Sequence, residues 1–275
     1  MTAGHLIGPG HLIATGITKR YAGLVALDEV DIEVQPDEVV GLIGPNGAGK
    51  TTLFNCLTGF TPLTRGAATF EGADITALAP PARAKLGMAR TFQQAQLFGH
   101  LTVEENLLLG RHRHYRARAW QSALGLGRRA ETSARKYVRD VAGECGLASV
   151  LTARIGDLPY GTQRMVEVAR ALATEPVMLL LDEPGAGMDS TESAYFARLL
   201  RQIHEERSLS MLVIEHDVAL VSAVCDRVYV LDFGRMIMEG SPDEIRSDER
   251  VRAAYLGSAA ETASTAEEPE VAGRA

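Results

Sequence analysis

The sequence has few cysteines and no long apolar run. Three of the 275 residues are cysteine, namely Cys56, Cys145 and Cys225, and they lie far apart. This number and spacing match neither a disulfide framework nor a metal-binding pattern, and they fit a reducing cytoplasm. No uninterrupted apolar segment reaches the ~18 residues that a membrane-spanning helix requires. We therefore expect no membrane span in this sequence.

An excess of positive charge is also missing. The sequence carries 28 Lys and Arg against 35 Asp and Glu, for a formal net charge of −7. This balance argues against bulk attraction to nucleic acid or to an acidic membrane surface. The first residues, Met1–Leu6, lack the basic start and apolar core of a signal peptide. Contents of 46% hydrophobic and 23% charged residues are those of an ordinary globular protein.

The most informative segment is Gly44–Thr51, which fits the P-loop pattern G-x-x-x-x-G-K-[ST] at every fixed position. A strand-like run over 38–43 precedes it and a helix-like run over 52–57 follows. Glycines let several backbone N–H groups point at one phosphate, and a helix N-terminus adds partial positive charge. Lys50 can reach the outer phosphates, and Thr51 offers a hydroxyl to Mg²⁺. The segment predicts a nucleotide-phosphate site.

The pattern of apolar residues divides the chain. Continuous apolar runs such as Val177–Leu181 and Met211–Ile214 are typical of buried parallel strands, whereas a capping box at Thr102 and Glu105 opens a helical stretch. We predict one domain over 11–257. This domain consists of a core of 11–96 and 158–257 and a helical subdomain over 97–157. A flexible arm over 1–10 precedes the domain, and a disordered tail over 258–275 follows it.

Other motifs follow the P-loop in order. Asp182 and Glu183 end an apolar strand, where Asp182 would hold Mg²⁺ and Glu183 would polarise an attacking water; the alternative is an acidic turn after a core strand. The segment Leu158–Arg164 places a glycine at the N-terminus of a helix. This glycine is part of an anion site, or the segment is simply the start of an amphipathic helix. His216 follows another buried strand, a position that is often structural.

Together these residues resemble the nucleotide-binding subunit of ATP-binding-cassette (ABC) transporters over about 12–257. The matching elements are the aromatic loop (Tyr21), Walker A (44–51), glutamine loop (Gln93), signature (158–164), Walker B with its glutamate (Asp182, Glu183), D-loop (Asp189) and switch histidine (His216). The resemblance implies an α/β fold: a P-loop NTPase (RecA-like) core with an antiparallel β subdomain and an inserted α-helical subdomain.

The resemblance also implies a role for each site residue. Two subunits would sandwich two ATP molecules, each held by one Walker A and the other subunit's signature. Nucleotide contacts fall on Tyr21, Gly44, Pro45, Asn46, Gly47, Ala48, Gly49, Lys50, Thr51 and Thr52. The signature contacts fall on Leu158, Pro159, Tyr160, Gly161, Thr162 and Gln163. Mg²⁺ would contact Thr51, Gln93 and Asp182. The catalytic residues would be Lys50, Gln93, Glu183 and His216. Asp189 would communicate across the dimer.

Four segments indicate which branch of the ABC transporter ATPases the sequence resembles. Arg90–Gln93, Tyr160-Gly161, Ile214–Asp217 and Ala254–Gly257, with the long insertion, look like the LivG-type ATPase of branched-chain amino-acid importers. That branch implies a peripheral subunit on the cytoplasmic face of the membrane. It implies two permease subunits, a second ABC ATPase (a paralogue or an identical copy), an external solute-binding protein acting indirectly, and no nucleic acid. Some members carry urea, amides or other small solutes, so the solute stays open.

Two other functions share these motifs: a non-transport ABC ATPase acting as an assembly scaffold, and the ATPase of a lipid or polysaccharide exporter. The common signature reads Leu-Ser-Gly-Gly-Gln, and Pro159 replaces its serine, removing a hydroxyl and a backbone N–H. We hypothesise a weaker grip on the partner's γ-phosphate. The basic stretch over 111–139 reads as a solvated helical face, with nucleic-acid binding or contact with lipid headgroups or permease as alternatives.

Overall fold

The computed structural model describes residues 9–91, 97–111 and 127–254, and these form two sheets with helices around them. The first sheet is antiparallel in the order β2-β1-β4-β5. The second has the order β10-β9-β3-β8-β7-β6, and its strands run parallel except at the edge, where β10 pairs antiparallel with β9. The strands are β1 (Leu12–Tyr21), β2 (Leu24–Val34), β3 (Val39–Ile43), β4 (Arg65–Phe70), β5 (Ala73–Asp74), β6 (Met88–Arg90), β7 (Met178–Asp182), β8 (Ser210–Ile214), β9 (Arg227–Asp232) and β10 (Arg235–Gly240).

Helices occupy the connections between these strands. They are α1 (Lys50–Leu57), α2 (Pro80–Lys85), α3 (Val103–Gly110), α4 (Gly127–Glu144), α5 (Tyr160–Leu172), α6 (Ser190–Arg207), α7 (Val218–Val224) and α8 (Pro242–Ser247). Short 3₁₀ turns lie at Ala148–Val150 and Ile155–Asp157. Within the described ranges, no helix combines the length and the apolar character needed to cross a membrane.

The parallel sheet is the middle layer of the fold. Every residue of β3, β7 and β8 is buried, as their continuous apolar runs predict. Because side chains alternate along a strand, Leu42 and Leu180 pack in a core with Phe54 and the antiparallel sheet. Leu181 and Val213 face the opposite way, into a core shared with the helices. The central strands of the sheet are therefore packed on both faces, and packing on both faces positions the strand ends that carry the site.

The predicted helical stretch begins as expected. Thr102 caps α3 in a reciprocal capping box with Glu105, as the sequence spacing predicts. Asn106 is fully buried and bonds to the Phe98 backbone, fixing the chain before the helix. The predicted α/β fold, with its antiparallel sheet and helical subdomain, is confirmed.

Several arginines of the basic stretch are engaged in ion pairs. Arg135 and Arg139 of α4 both bond to Glu104 of α3, and Arg111 lies 4.1 Å from the ring centroid of Tyr137. The arginines between 112 and 126 lie outside the described residues. The charges of Arg135 and Arg139 therefore connect α4 to α3.

The ends of the predicted domain are partly visible. Gly10, at the end of the predicted arm, is buried and donates its N–H to Glu71 Oε1 at 3.1 Å. The segments 1–8 and 258–275, and the ends Tyr255–Gly257, lie outside the described residues. The exact division of the chain stays a prediction.

Candidate functional site

Three parallel strands end together at one edge of the sheet. Leu42 of β3 and Asp182 of β7 are both register partners of Ile214 of β8. The bonds continue past the strands, since Glu183 N donates to Ile214 O at 2.9 Å and Glu215 N donates to Leu42 O at 3.3 Å. In parallel sheets ligands bind at the carboxyl ends of the strands. The P-loop, the Asp182–Glu183 pair and His216 therefore all start from the same edge.

The P-loop glycines adopt backbone angles that favour glycine. Gly44, Gly47 and Gly49 have φ of 152°, 81° and 105°. A Cβ at Gly44 would lie 2.0 Å from Leu231 O, so the loop turns directly against β9. Gly49 precedes α1, and the first helical bond runs from Leu53 N to Gly49 O. The earlier N–H groups of α1 thus lie outside the helix ladder, as an anion site requires.

Lys50 is buried at the base of this loop. Its Nζ donates to Gly44 O at 2.7 Å and to Pro45 O at 2.9 Å, so the loop carbonyls position the ammonium group. Burial lowers the pKa of Lys50, while the charges of Glu183 and Asp182 oppose that shift. The cation therefore lies within the field of both carboxylates.

Asp182 ends β7 in a buried position. Burial raises the pKa of its carboxyl, and the nearby Arg90 guanidinium opposes the shift. Arg90 Nη2 is 3.8 Å from Asp182 Oδ2, and Asp182 N donates to Thr91 Oγ1 at 3.2 Å. Sequence reasoning used Arg90 only as part of a motif and missed this contact.

Glu183 has a left-handed backbone. Its φ is 46°, and its side chain is half-buried. A non-glycine residue in this region costs on the order of 1–3 kcal/mol, and such strain concentrates at functional sites. The Glu183 N–H bond to Ile214 O holds the backbone in this conformation. The chain therefore turns directly after β7.

His216 and Glu215 follow β8. The His216 side chain is 57% exposed, with Nδ1 3.8 Å from Glu215 Oε2. Glu215 is fully buried, and burial raises the pKa of its carboxyl against the effect of the backbone N–H groups of Gly185, His216 and Asp217. Sequence reasoning missed Glu215, because an acid between a strand and a histidine gives no sign of burial.

Thr51 and Asp182 suit a magnesium ion. Thr51 is exposed at the start of α1, so its hydroxyl is accessible. Across the described ranges, no group of three or more His, Cys, Asp or Glu side chains could hold a metal. Mg²⁺ does not need one, because it keeps several waters and uses one or two carboxylates with substrate phosphates. Gln93, the third predicted ligand, lies outside the described residues.

Tyr21 ends β1 with 46% of its surface exposed. Lys19 Nζ lies 4.8 Å from its ring centroid and also donates to Pro62 O at 2.9 Å. An exposed aromatic ring is what the predicted stacking on adenine requires.

The signature lies against the D-loop, defined here as residues 184–189. A Cβ at Gly187 would lie 2.9 Å from the ring of Tyr160, and one at Gly161 would lie 3.1 Å from Glu192 Oε1. Pro159 is the N-cap of α5 and makes no side-chain cap bond. The structure thus brings the P-loop, the carboxylates and His216 to one edge, and it groups the signature with the D-loop.

Asp189, predicted to communicate across a dimer, caps α6. Its Oδ1 accepts from Thr191 N and Glu192 N, both at 2.8 Å, and Glu192 Oε2 accepts from Asp189 N at 3.1 Å. This capping box fixes the end of the D-loop. Any signalling role for Asp189 stays a prediction.

Comparison with known proteins shows the family to which the chain belongs. The model of the ABC transporter family matches residues 27–186, more than half of the chain and the part that holds the P-loop, signature and Walker B residues. The chain belongs to the ABC transporter family. A second model, of the branched-chain amino acid ATP-binding cassette transporters, matches residues 235–261 of this cassette.

Named relatives span nearly the whole cassette. BraF of Pseudomonas aeruginosa, a high-affinity branched-chain amino acid transport ATP-binding protein, is 39% identical over 250 residues, 90% of this chain and 98% of BraF. LivG of Escherichia coli K12, described in the same words, is 38% identical over the same shares. LptB of the same organism, a lipopolysaccharide export system ATP-binding protein, is 35% identical over 246 residues, 90% of this chain and 97% of LptB.

A solved structure agrees with the fold. The ADP conformation of MJ1267, an ATP-binding cassette of an ABC transporter, superposes with a TM-score of 0.79 at 31% identity, covering 90% of this chain and 99% of MJ1267. The predicted family, fold and ATPase class of the cassette are therefore confirmed.

Proposed function

We propose that this cassette is the ATP-hydrolysing subunit of an importer of branched-chain amino acids or a related small solute. The observation that carries ATP hydrolysis is the convergence of Lys50, Asp182, Glu183 and His216 at the ends of three adjacent parallel strands. The match of residues 235–261 and the identities to BraF and LivG support the importer branch over LptB-type export.

The residues divide the work of hydrolysis. The P-loop N–H groups and Lys50 hold the ATP phosphates, and the exposed ring of Tyr21 stacks on adenine. Glu183 polarises a water for attack on the γ-phosphorus, so that a new P–O bond forms as the bond to the ADP oxygen breaks. His216 contacts the γ-phosphate. Thr51, Asp182 and Gln93 would hold Mg²⁺, which would neutralise charge on the phosphates.

The second half of each site comes from another cassette. The signature packs on its own D-loop. Helix α5 begins there, so its N-terminus can face a phosphate held by a partner's P-loop. We propose a dimer with an identical copy or a paralogue, in which Pro159–Gln163 complete the partner's site.

Permease subunits would bind at a groove beside the carboxyl end of β6. The groove has a volume of about 530 Å³ and lies where β6 meets α2, α3 and α5. Its lining includes Arg90 and the partly exposed apolar side chains of Phe60 and Leu109. Binding there would place the cassette at the cytoplasmic face of the membrane, with a solute-binding protein acting from outside.

The first experiment is purification of the Glu183→Gln variant from its own cells with Mg-ATP. The amide cannot act as a base, so ATP should bind and persist. Two multi-spanning proteins and a cassette ATPase are expected to co-purify, and a Glu183→Gln/Lys50→Ala variant is the control for nucleotide dependence. Recovery of soluble proteins alone would overturn the transport assignment in favour of a scaffold role.

The second experiment measures uptake in cells that lack the gene. Loss of labelled leucine, isoleucine and valine uptake, restored by the wild-type gene, is the expected result. Loss of urea or amide uptake alone would reassign the solute. Normal uptake with a defect in lipid or polysaccharide export would replace the import proposal.

A further inference from the structure

Glu215 is a fully buried carboxylate that has no part in the hydrolysis described above. Its Oε1 accepts from Gly185 N at 2.6 Å, and its Oε2 accepts from His216 N at 3.1 Å. These two N–H groups belong to different loops. Gly185 lies in the D-loop, two residues after Glu183, whereas His216 lies in the switch loop, defined here as residues 215–217. One side chain therefore joins both loops.

The D-loop approaches this carboxylate closely. A Cβ at Gly185 would lie 3.0 Å from Glu215 Oε1 and 2.7 Å from Leu220 Cδ1, so a larger residue would push them apart. A buried carboxylate is costly unless its oxygens accept hydrogen bonds. The two N–H partners meet that need, and in turn Glu215 satisfies two backbone donors beside the hydrolytic site.

The residue on the other side of His216 makes a second connection. Asp217 Oδ1 accepts from Ala219 N at 2.8 Å at the start of α7, and its Oδ2 accepts from Ser193 Oγ of α6 at 3.3 Å. The His216 side chain is more than half exposed, so packing alone does not orient it. Its backbone is placed by the acidic residues on either side, and both reach the D-loop or the helix that follows it.

We propose that Glu215 is a positioning residue that fixes the backbone of His216 relative to the D-loop. The inference rests on the proposed function, because its effect on hydrolysis acts through His216 at the γ-phosphate. A shift of the D-loop on contact with a partner cassette would carry Gly185, and through Glu215 the His216 backbone, with it. Glu215 transfers no proton and touches no substrate in this role.

The test is a double-mutant cycle with His216. Glu215→Gln keeps the shape of the side chain but leaves one acceptor oxygen and places an NH₂ group against the other backbone N–H. We expect its kcat for ATP to fall about 10-fold or more, with KM within about 2-fold. In a His216→Ala background the same change should cost less than about 2-fold. Equal losses in both backgrounds, or an unchanged kcat, would overturn the proposal.

Amide hydrogen exchange in nucleotide-free protein gives a second readout that needs no hydrolysis. Glu215→Gln should speed exchange at Gly185 or His216 about 10-fold or more, while Val213 in β8 keeps its rate. Unchanged exchange at both positions overturns the proposal. If the His216→Ala variant hydrolyses ATP too slowly to assay, the exchange measurement is the deciding test.

Asp226→Asn is the matched control. Asp226 also accepts a backbone N–H, that of Val39 at 2.8 Å, but at the start of β3 and away from the switch loop. Asp226→Asn should lower the free energy of unfolding but change kcat by no more than about 2-fold. It should also leave the amide exchange rates of Gly185 and His216 unchanged. The two proposals can fail separately. If no permease co-purifies but the double-mutant cycle of Glu215 and His216 gives the expected result, transport is contradicted and the positioning role stands.

Discussion

Arg90 and Asp182 form a buried contact that connects helix α1 to the Walker B strand. Arg90 Nη2 lies 3.8 Å from Asp182 Oδ2, and Nη1 donates to Asn55 Oδ1 at 3.0 Å and Thr58 Oγ1 at 2.8 Å. The guanidinium group lies 4.7 Å from the ring centroid of Phe54 and 4.6 Å from that of Phe60. The guanidinium group therefore lies within cation–π distance of both rings and within ion-pair distance of the carboxylate.

Removing this guanidinium should destabilise the fold. Arg90→Met leaves Asp182 buried without its ion-pair partner, so we expect a loss of about 2–4 kcal/mol in the free energy of unfolding. Urea denaturation of the full chain measures it. Arg235→Met is the control, since Arg235 is 72% exposed and its pair with Asp28 should contribute under about 1 kcal/mol. Similar losses for the two variants would show that the buried contact contributes no more to the free energy of unfolding than the exposed pair does.

The P-loop glycines should differ in how they tolerate a methyl group. Gly44→Ala places Cβ 2.0 Å from Leu231 O, so the backbone must shift and nucleotide binding should be lost. Gly47→Ala meets no atom within 4 Å and should cost only about 1 kcal/mol, from its φ of 81°. Thermal unfolding and ATP titration of both variants test this. Equal tolerance would mean that the loop adjusts freely against β9.

Restoring the signature serine should have two effects. Pro159 is the N-cap of α5 and supplies no cap bond, whereas serine is a favoured N-cap residue. The added cap bond should contribute about 1 kcal/mol, but serine also replaces a proline whose φ of −54° suits this position, so the net change in stability should stay within about 1 kcal/mol. Pro159→Ser should also tighten nucleotide-dependent dimerisation, if Pro159 weakens the grip on the partner's γ-phosphate. Sedimentation of the Glu183→Gln background with and without Pro159→Ser measures the second effect, and no change would refute that hypothesis.

The three thiols should not react in the folded protein. Cys56, Cys145 and Cys225 are all buried, and burial raises the pKa of Cys56 to about 11 and of Cys145 to about 12. At pH 8 the thiolate fraction of a group with pKa 11 is only about 10⁻³, and the thiolate is the reactive form. A colorimetric thiol reagent should report no fast-reacting cysteine in the native state and three in urea. A fast-reacting thiol before unfolding would contradict the buried placement.

Part of the site was predictable because it is local in sequence. The spacing of Gly44–Thr51, the acids that end the run Val177–Leu181, and the capping box at Thr102 each depend on residues a few positions apart. Hydrogen bonding and φ/ψ preferences act over that range. The P-loop, the acids at the end of β7 and the capped start of α3 therefore follow from the order of residues, whereas the α/β fold and the role of His216 were implied by the resemblance to ABC cassettes.

Contacts between distant segments were set only by the tertiary structure. Arg90 meets Asp182 across 92 positions, and Gly185 meets Glu215 across 30, because β6, β7 and β8 are neighbours in one parallel sheet. The sequence by itself determined which chemical groups the chain carries and which strands and helices bear them. The sheet order decided which groups lie beside each other and which carboxylates are buried, since burial and long-range register depend on packing of the whole chain.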